Sequence, residues 1–260
     1  MKDIRFTVEL NEKKAPGVYL MRLTCAEDVG PVLGGQFLQF EVPGRPDLSL
    51  RRPFCIYKRE PHSVTLVYVA VGEGTRAMAE IRAGQRVNCL LPLGNGFVLP
   101  KAYKRVALVG GGVGGAPLLP VIGNYPDIEF HAYLGFGTAG AAAVLAGDFE
   151  GAACALNLFT DDGSAGVKGF PTAALDGDIE KGLQFDAVLT CGPAPLIKAV
   201  RAVAVKRGLD AFMSGENRMA CGVGACLTCA CAVRGADGKE RNLRACVDGP
   251  VFDLKKVQLF

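Results

Sequence analysis

The first hundred residues alternate apolar and polar side chains. Residues 4–10 read Ile-Arg-Phe-Thr-Val-Glu-Leu, and strand-like runs recur at 18–24, 36–42, 63–71 and 86–91 between Gly and Pro breaks. Alternation with period two predicts antiparallel strands with one face on a core. One short helix is expected at 75–81, opened by Gly74 or Thr75 and ended before Gly84. Roughly six strands with one helix predict a small β-barrel over residues 1–100.

The pattern changes after residue 100. Residues 105–109, 128–134, 154–159 and 185–189 are continuous apolar runs. Helical segments fit between and after them, from the glycines at 110 to about 123, at 139–145, 171–175 and 194–207. Unbroken apolar strands alternating with helices predict a parallel sheet covered on both faces, a Rossmann-like α/β domain over 101–208. From residue 209 the alternation stops. Residues 209–260 read as a small C-terminal module, a loop followed by a hairpin of 228–233 and 240–246 around Gly235–Gly238. The module is too small for a good core, and a metal centre can supply the missing stability.

Composition narrows the classes. Met1 to Phe6 alternate charged and apolar residues, without the apolar core of a signal peptide, and no run of about 18 apolar residues occurs. A soluble, cytosolic chain is expected, in which thiols stay reduced, so the ten cysteines are not a disulfide framework. The net charge of +3 gives no reason to invoke nucleic acid or an anionic membrane. The two histidines, His62 and His131, read as structural or exposed. Cys25, Cys55, Cys89, Cys154 and Cys191 are scattered and read mostly as small buried hydrophobes.

The other cysteines cluster. Cys221, Cys226 and Cys229 have the C-x4-C-x2-C spacing of plant-type [2Fe–2S] proteins, whose fourth thiolate comes from further along the chain, here Cys246. Three ligands so close together need a tight loop. Gly222 and Gly224 let the backbone approach inorganic sulfide and direct N–H groups at it. Such a cluster marks a one-electron carrier. A structural zinc favours two C-x2-C pairs; Cys229-Ala-Cys231 is a poor knuckle and Cys246 has no cysteine neighbour. A zinc-stabilised interaction subunit without turnover remains the alternative from another class. Cys231 lies outside the spacing and reads as a bystander.

A second motif, G-x-G-x-x-G, stands at Gly110, Gly112 and Gly115. It follows a buried strand and opens a helix, where a helix N-terminus can hold a pyrophosphate. Pro117 suits a first turn. The competing reading is a glycine-rich turn that serves close packing. The acid that usually ends the second strand and holds the ribose is missing from Leu134-Gly-Phe-Gly-Thr138, and so is an arginine for a 2′-phosphate. The missing arginine favours NAD over NADP.

The third site lies in the barrel, where Leu50-Arg-Arg-Pro-Phe-Cys-Ile-Tyr57 precedes Val67-Tyr-Val-Ala-Val-Gly-Glu-Gly-Thr75. A guanidinium such as Arg52 grips a flavin diphosphate bidentately. Phe54 and Tyr57 can flank an aromatic ring system, and Gly74-Thr75 offers N–H groups to phosphate. Two arginines alone would equally be a solvated face. The candidate FAD contacts here are Arg52, Pro53, Phe54 and Cys55, then Val67, Tyr68, Val69, Gly74 and Thr75.

Together these residues resemble the ferredoxin-reductase-like flavoproteins, whose R-x-[YF]-[ST] motif is similar to Arg52-Pro53-Phe54-Cys55, with Cys55 in place of the usual hydroxyl residue. Within them the chain resembles the electron-transfer subunits of the NAD-linked, two-component dihydroorotate dehydrogenases. Thr160–Phe170 and Cys191-Gly-Pro193 carry the likeness further. Gly137 departs from it, standing where relatives carry a larger or basic residue. The resemblance implies FAD, NAD(H) and a [2Fe–2S] cluster, with Asp162 holding the nicotinamide nucleotide and Cys191 and Gly192 bordering the nicotinamide. It implies a partner, an FMN-containing catalytic subunit of pyrimidine biosynthesis, in a heterotetramer of two plus two. The flavin belongs between the other two groups, because it takes two electrons as hydride and releases them singly. The nearer alternative is the small subunit of an NADPH:ferredoxin or sulfide-type oxidoreductase.

Overall fold

A computed structural model describes residues 1–235 and 237–258. The first sheet holds seven antiparallel strands: β1 (Lys2–Ala15), β2 (Val18–Thr24), β3 (Phe37–Phe40), β4 (Arg52–Cys55), β5 (Lys58–Glu60), β6 (Ser63–Val69) and β7 (Arg86–Leu93). Their order is β4-β3-β7-β1-β2-β6-β5. In β1 the alternation acts as expected: Ile4, Phe6 and Val8 are buried while Asp3, Arg5 and Thr7 face solvent. The buried set meets Met21, Leu23, Leu38, Phe40 and Leu66 in one core.

The sheet's two edges, β4 and β5, are joined only by Ile56 and Tyr57. Edges that close in sequence force the sheet to curl. The Ile56 N–H donates to the Gln36 carbonyl at 3.1 Å and the Tyr57 N–H to the Thr65 carbonyl at 2.9 Å. The sheet is therefore a half-barrel whose seam is bridged, which covers part of its exposed edges. Helix α1 (Glu73–Ala79) follows β6 and starts earlier than the expected 75–81. Thr75 Oγ1 accepts the Gly72 N–H at 3.0 Å, which makes Gly72 the N-cap.

The second sheet begins with β8 (Arg105–Gly111), β9 (Glu129–Phe136), β10 (Cys154–Thr160), β11 (Val167–Lys168), β12 (Ala187–Cys191) and β13 (Asp210–Ser214), all parallel. A separate hairpin, β14 (Ala230–Arg234) and β15 (Glu240–Arg244), follows, and β16 (Val251–Asp253) returns antiparallel to β13. Val106 and Leu108 enter one core while Ala107 and Val109 enter the other, so the run is apolar without alternation. Helices α2 (Leu119–Asn124), α3 (Ala139–Ala142) and α4 (Ala146–Glu150) cover the first face. Helices α5 (Pro171–Glu180) and α6 (Ala194–Arg207) cover the second.

The strand order is β11-β10-β9-β8-β12-β13-β16. The chain steps from β8 out to β11, then crosses back to lay β12 on the other side of β8. The β8–β12 gap is the switch point, and ligands of open α/β sheets bind at the carboxyl ends of strands at such a point.

Two expectations change. The glycine run opens into a 3-10 helix, Gly112–Leu118, and α-helix begins only at Leu119. Glycine's low helix propensity and Pro117, which lacks an N–H, account for this. The expected boundary between 208 and 209 is also displaced. Both β13 and β16 come from 209–260 and complete the second sheet, while the cysteine loop and the hairpin stand outside it. Strand β13 is five residues long, and its alternation is too short to read apart from the loop that follows. No helix among the described residues is long and apolar enough to cross a membrane.

Candidate functional site

A cleft of about 500 Å³ lies between the half-barrel and the switch point. The barrel contributes Pro53, Phe54 and Cys55 from β4, Val67, Tyr68 and Val69 from β6, and Thr75 from α1. The second sheet contributes Gly114 and Ala116 after β8 and Cys191 at the end of β12. A third wall, Gly215, Glu216, Asn217 and Met219, follows β13. Sequence reading missed that wall, although its place after a parallel strand is the signal that would have found it.

The barrel wall is a rigid apolar face. The Phe54 and Tyr68 rings lie 5.7 Å apart, and Tyr68 stacks on Tyr19 at 5.5 Å. The Tyr68 hydroxyl donates to Asn11 at 2.9 Å, which fixes the ring. Such a surface suits a flat conjugated ligand. Tyr57 corrects its expectation. It is fully buried outside the cleft, and its hydroxyl donates to Asp148 at 2.5 Å, tying the barrel to α4. Its position in the seam turns it away from any ring in the cleft, and burial foremost pushes its pKa up.

Arg52 and Gly74 stand outside the cleft lining. The Arg52 guanidinium packs on Gly74 so closely that a Cβ there would collide with its Nε. Gly74 thus seats the guanidinium on the first turn of α1. Cys55 and Cys191 are free thiols. Burial pushes Cys55 up to about 12 and raises Cys191 well above its ordinary value, so both stay neutral.

The three motif glycines shape the turn from behind. A Cβ on Gly110 would stand 2.8 Å from the Gly115 Cα, and Gly112 adopts φ +55. The glycine that reaches the cleft is Gly114, whose Cβ would fall 2.6 Å from the Gly192 Cα and 2.9 Å from the Cys191 oxygen. The loops after β8 and β12 therefore interlock backbone to backbone. Asp162 lies beyond the cleft, past the end of β10. Its Oδ1 accepts the Ser164 hydroxyl at 2.6 Å and the Ser164 N–H at 2.9 Å, which hold its carboxyl below the usual range.

The cysteine loop begins two residues after Met219, so the Cys221 Cα stands within about 7 Å of the cleft wall. Cys221 Sγ accepts the N–H groups of Cys226 at 3.4 Å and Val223 at 3.5 Å. Cys229 and Cys246 are buried with their sulfurs 3.2 Å apart. Arg244 clamps the loop: it pairs with Asp248 at 3.0 Å and donates to the Gly224 carbonyl at 3.3 Å. The exposed Cys226 thiol is drawn down to about 6, chiefly by the Thr228 hydroxyl, whereas burial raises Cys246 to about 11.

The donors thus form two pairs, Cys221 with Cys226 and Cys229 with Cys246. A [2Fe–2S] cluster divides four thiolates between two irons. One zinc would gather all four sulfurs at about 2.3 Å from a single point. The paired set fits the two-iron group. Cys231 donates instead to the Leu243 carbonyl at 3.4 Å inside the hairpin.

Residues 216–258 match the iron–sulfur cluster binding domain of dihydroorotate dehydrogenase B. The electron transfer subunit of dihydroorotate dehydrogenase B (NAD(+)) from Streptococcus mutans is 35 % identical, with 97 % of each chain covered. That of Bacillus velezensis is 35 % identical over the whole of both chains. The solved NADH-dependent reduced ferredoxin-NADP oxidoreductase superposes with a TM-score of 0.86 at 26 % identity, covering 98 % of this chain and 90 % of that one. Phthalate dioxygenase reductase shares the fold at 21 % identity and a TM-score of 0.65, covering 94 % and 77 %. By its fold and by identity along its full length, the chain belongs to the family of dihydroorotate dehydrogenase B electron transfer subunits.

Proposed function

We propose that this chain passes electrons between NAD(H) and a partner dihydroorotate dehydrogenase catalytic subunit in pyrimidine synthesis. FAD would occupy the cleft and a [2Fe–2S] cluster the cysteine loop. When bound, the flavin exchanges hydride with nicotinamide and single electrons with the cluster. One observation carries the reading: the barrel motif, the switch point and the approach to Cys221 all border one cleft. Phe54 and Tyr68 would hold the flavin ring and Arg52 its diphosphate. Gly114, with Gly110, Gly112 and Gly115 behind it, lets a dinucleotide approach the strand ends. Cys191 and Gly192 would border the nicotinamide, and Asp162 would hold the nicotinamide nucleotide. Cys221, Cys226, Cys229 and Cys246 are the thiolates for iron.

The finer proposals are an FMN-containing partner, a heterotetramer of two plus two and a cytoplasmic location. The chemistry of dihydroorotate is assigned to the partner, and the two histidines here read as structural. His62 contacts the Glu27 carbonyl at 3.1 Å and His131 the Glu129 carboxylate at 2.7 Å. The similarity to the ferredoxin-NADP oxidoreductase at TM-score 0.86 keeps a ferredoxin-like acceptor as the second reading. Identity of 35 % to the dihydroorotate relatives favours the first. Reduction of a purified catalytic subunit by NADH through this chain, against a ferredoxin control, separates them.

Arg52→Ala is expected to weaken FAD binding about 10- to 100-fold, the loss of one charge-assisted anchor. Flavin released on desalting checks it; full retention contradicts the role. The loop also presents an apolar docking face beside Cys226. Val223, Leu227 and Val247 are 39 %, 62 % and 43 % exposed, and Leu227 sits at φ +61. Leu227→Asp tolerates that backbone and is expected to weaken partner binding at least tenfold, while NADH still bleaches the flavin. Calorimetric titration with the partner reads the loss, and unchanged affinity rules this face out.

A further inference from the structure

Gln39 is fully buried, and neither atom of its carboxamide has a hydrogen-bond partner. Its neighbour Gln36 shows the ordinary case: its Oε1 accepts the Leu33 N–H at 2.9 Å and its Nε2 donates to the Gly94 carbonyl at 2.8 Å. A carboxamide offers two donors and two acceptor positions, and buried polar groups are nearly always paired. Gln39 calls for a partner that the described residues do not supply.

Its direction follows from β3. Leu38 and Phe40 point into the barrel core. Phe37 points the other way, into the core that holds Cys229 and Cys246, and Gln39 shares the face of Phe37. The amide lies against the cysteine loop. A Cβ on Gly222 would meet Gln39 Nε2 at 2.5 Å and its Cδ at 2.9 Å. Gly222 also has φ +70, so glycine there serves both the turn and the approach of the amide. Gln39 does not line the flavin cleft, although its ladder partner on β4 is Pro53, which does. The carboxamide therefore stands between the flavin wall and the loop, turned to the loop.

We propose that Gln39 is a positioning residue for the iron–sulfur centre, its Nε2–H donating to a cluster sulfur, either the Cys221 thiolate or a bridging sulfide. The inference rests on the cluster reading above. A donor to sulfur stabilises the more negative, reduced cluster and so raises its potential. Gln39 thereby makes it easier for the cluster to accept an electron from the flavin side.

The test uses the full chain with FAD and cluster bound. Glutamine is labelled with 15N in the side chain, and the reduced cluster is probed by pulsed EPR. A glutamine nitrogen coupling is expected, and it should vanish in Gln39→Met, which keeps the length of the side chain without its donors. Redox titration of Gln39→Met should show the reduced-to-oxidised ratio lowered about tenfold at fixed poise, about 59 mV more negative for one electron. NADH bleaching of the flavin should be unchanged. An iron-loaded parent without glutamine nitrogen coupling overturns the Gln39 proposal alone. A coupling retained in Gln39→Met, or a potential that does not move, overturns it as well. A parent without iron or a reduced-cluster signal overturns the cluster reading, and this proposal with it. If Gln39→Met fails to hold the cluster, the parent's coupling decides.

Discussion

Cys226→Ser is expected to take the chain from about two irons to almost none, and NADH-driven reduction of the partner should stop. Reduction of the bound flavin by NADH should continue. The separation follows from the layout. Cys226 is exposed at the tip of the loop and paired with Cys221, while the flavin cleft is built from β4, β6 and the switch point. Serine at 226 meets solvent, so the substitution itself buries no unpaired hydroxyl. The same change at Cys229, which is 2 % exposed against Cys246, would bury a hydroxyl at a cost of about 1–3 kcal/mol and mix unfolding with ligand loss. Iron assay, visible spectrum and partner-dependent turnover read the outcome. Unchanged iron content would refute the ligand assignment.

The second large effect is expected at the other end of the path. Gly114→Ala places a methyl group 2.6 Å from the Gly192 Cα and 2.8 Å from its nitrogen. Both are backbone atoms and cannot turn aside, and Gly192 itself holds φ +151. The loops after β8 and β12 must separate, moving Cys191 and the floor of the proposed nicotinamide site. A displacement near 1 Å lowers the rate of a positioned reaction about 10²-fold. Stopped-flow reduction of the flavin by NADH should slow by that order, with iron content and FAD retention intact. An unaltered rate would show that the interlocked glycines do not position the nicotinamide.

Much of this was legible in the sequence because the signals are local. The spacing of Cys221, Cys226 and Cys229 is set by one tight loop, and the alternation of β1 by one sheet face. The apolar run of β8 with its glycines reports a strand that is covered twice and a tight turn after it. What escaped depends on distant partners. Nothing local marks 210–214 as the neighbour of β12, or 251–253 as the strand that closes on it. Tyr57 looked like a flavin contact by its nearness to Phe54, but the seam directs it to Asp148, 91 residues away. The G-x-G-x-x-G pattern named Gly110, Gly112 and Gly115, whereas the glycine of that run that lines the cleft is Gly114, because contact with Gly192 appears only once β12 lies beside β8. Gln39 is one polar residue in an apolar strand, and its meaning depends on Gly222 folding back over it.

On this reading electrons leave the chain through the cysteine loop. Rapid-freeze EPR of the assembled complex, mixed anaerobically with NADH, tests it most directly. The expected result is flavin bleaching first, then a reduced [2Fe–2S] signal that decays as the catalytic subunit is reduced, with no such signal and no partner reduction in Cys226→Ser. Partner reduction at the parent's rate in the iron-free variant would contradict the claim.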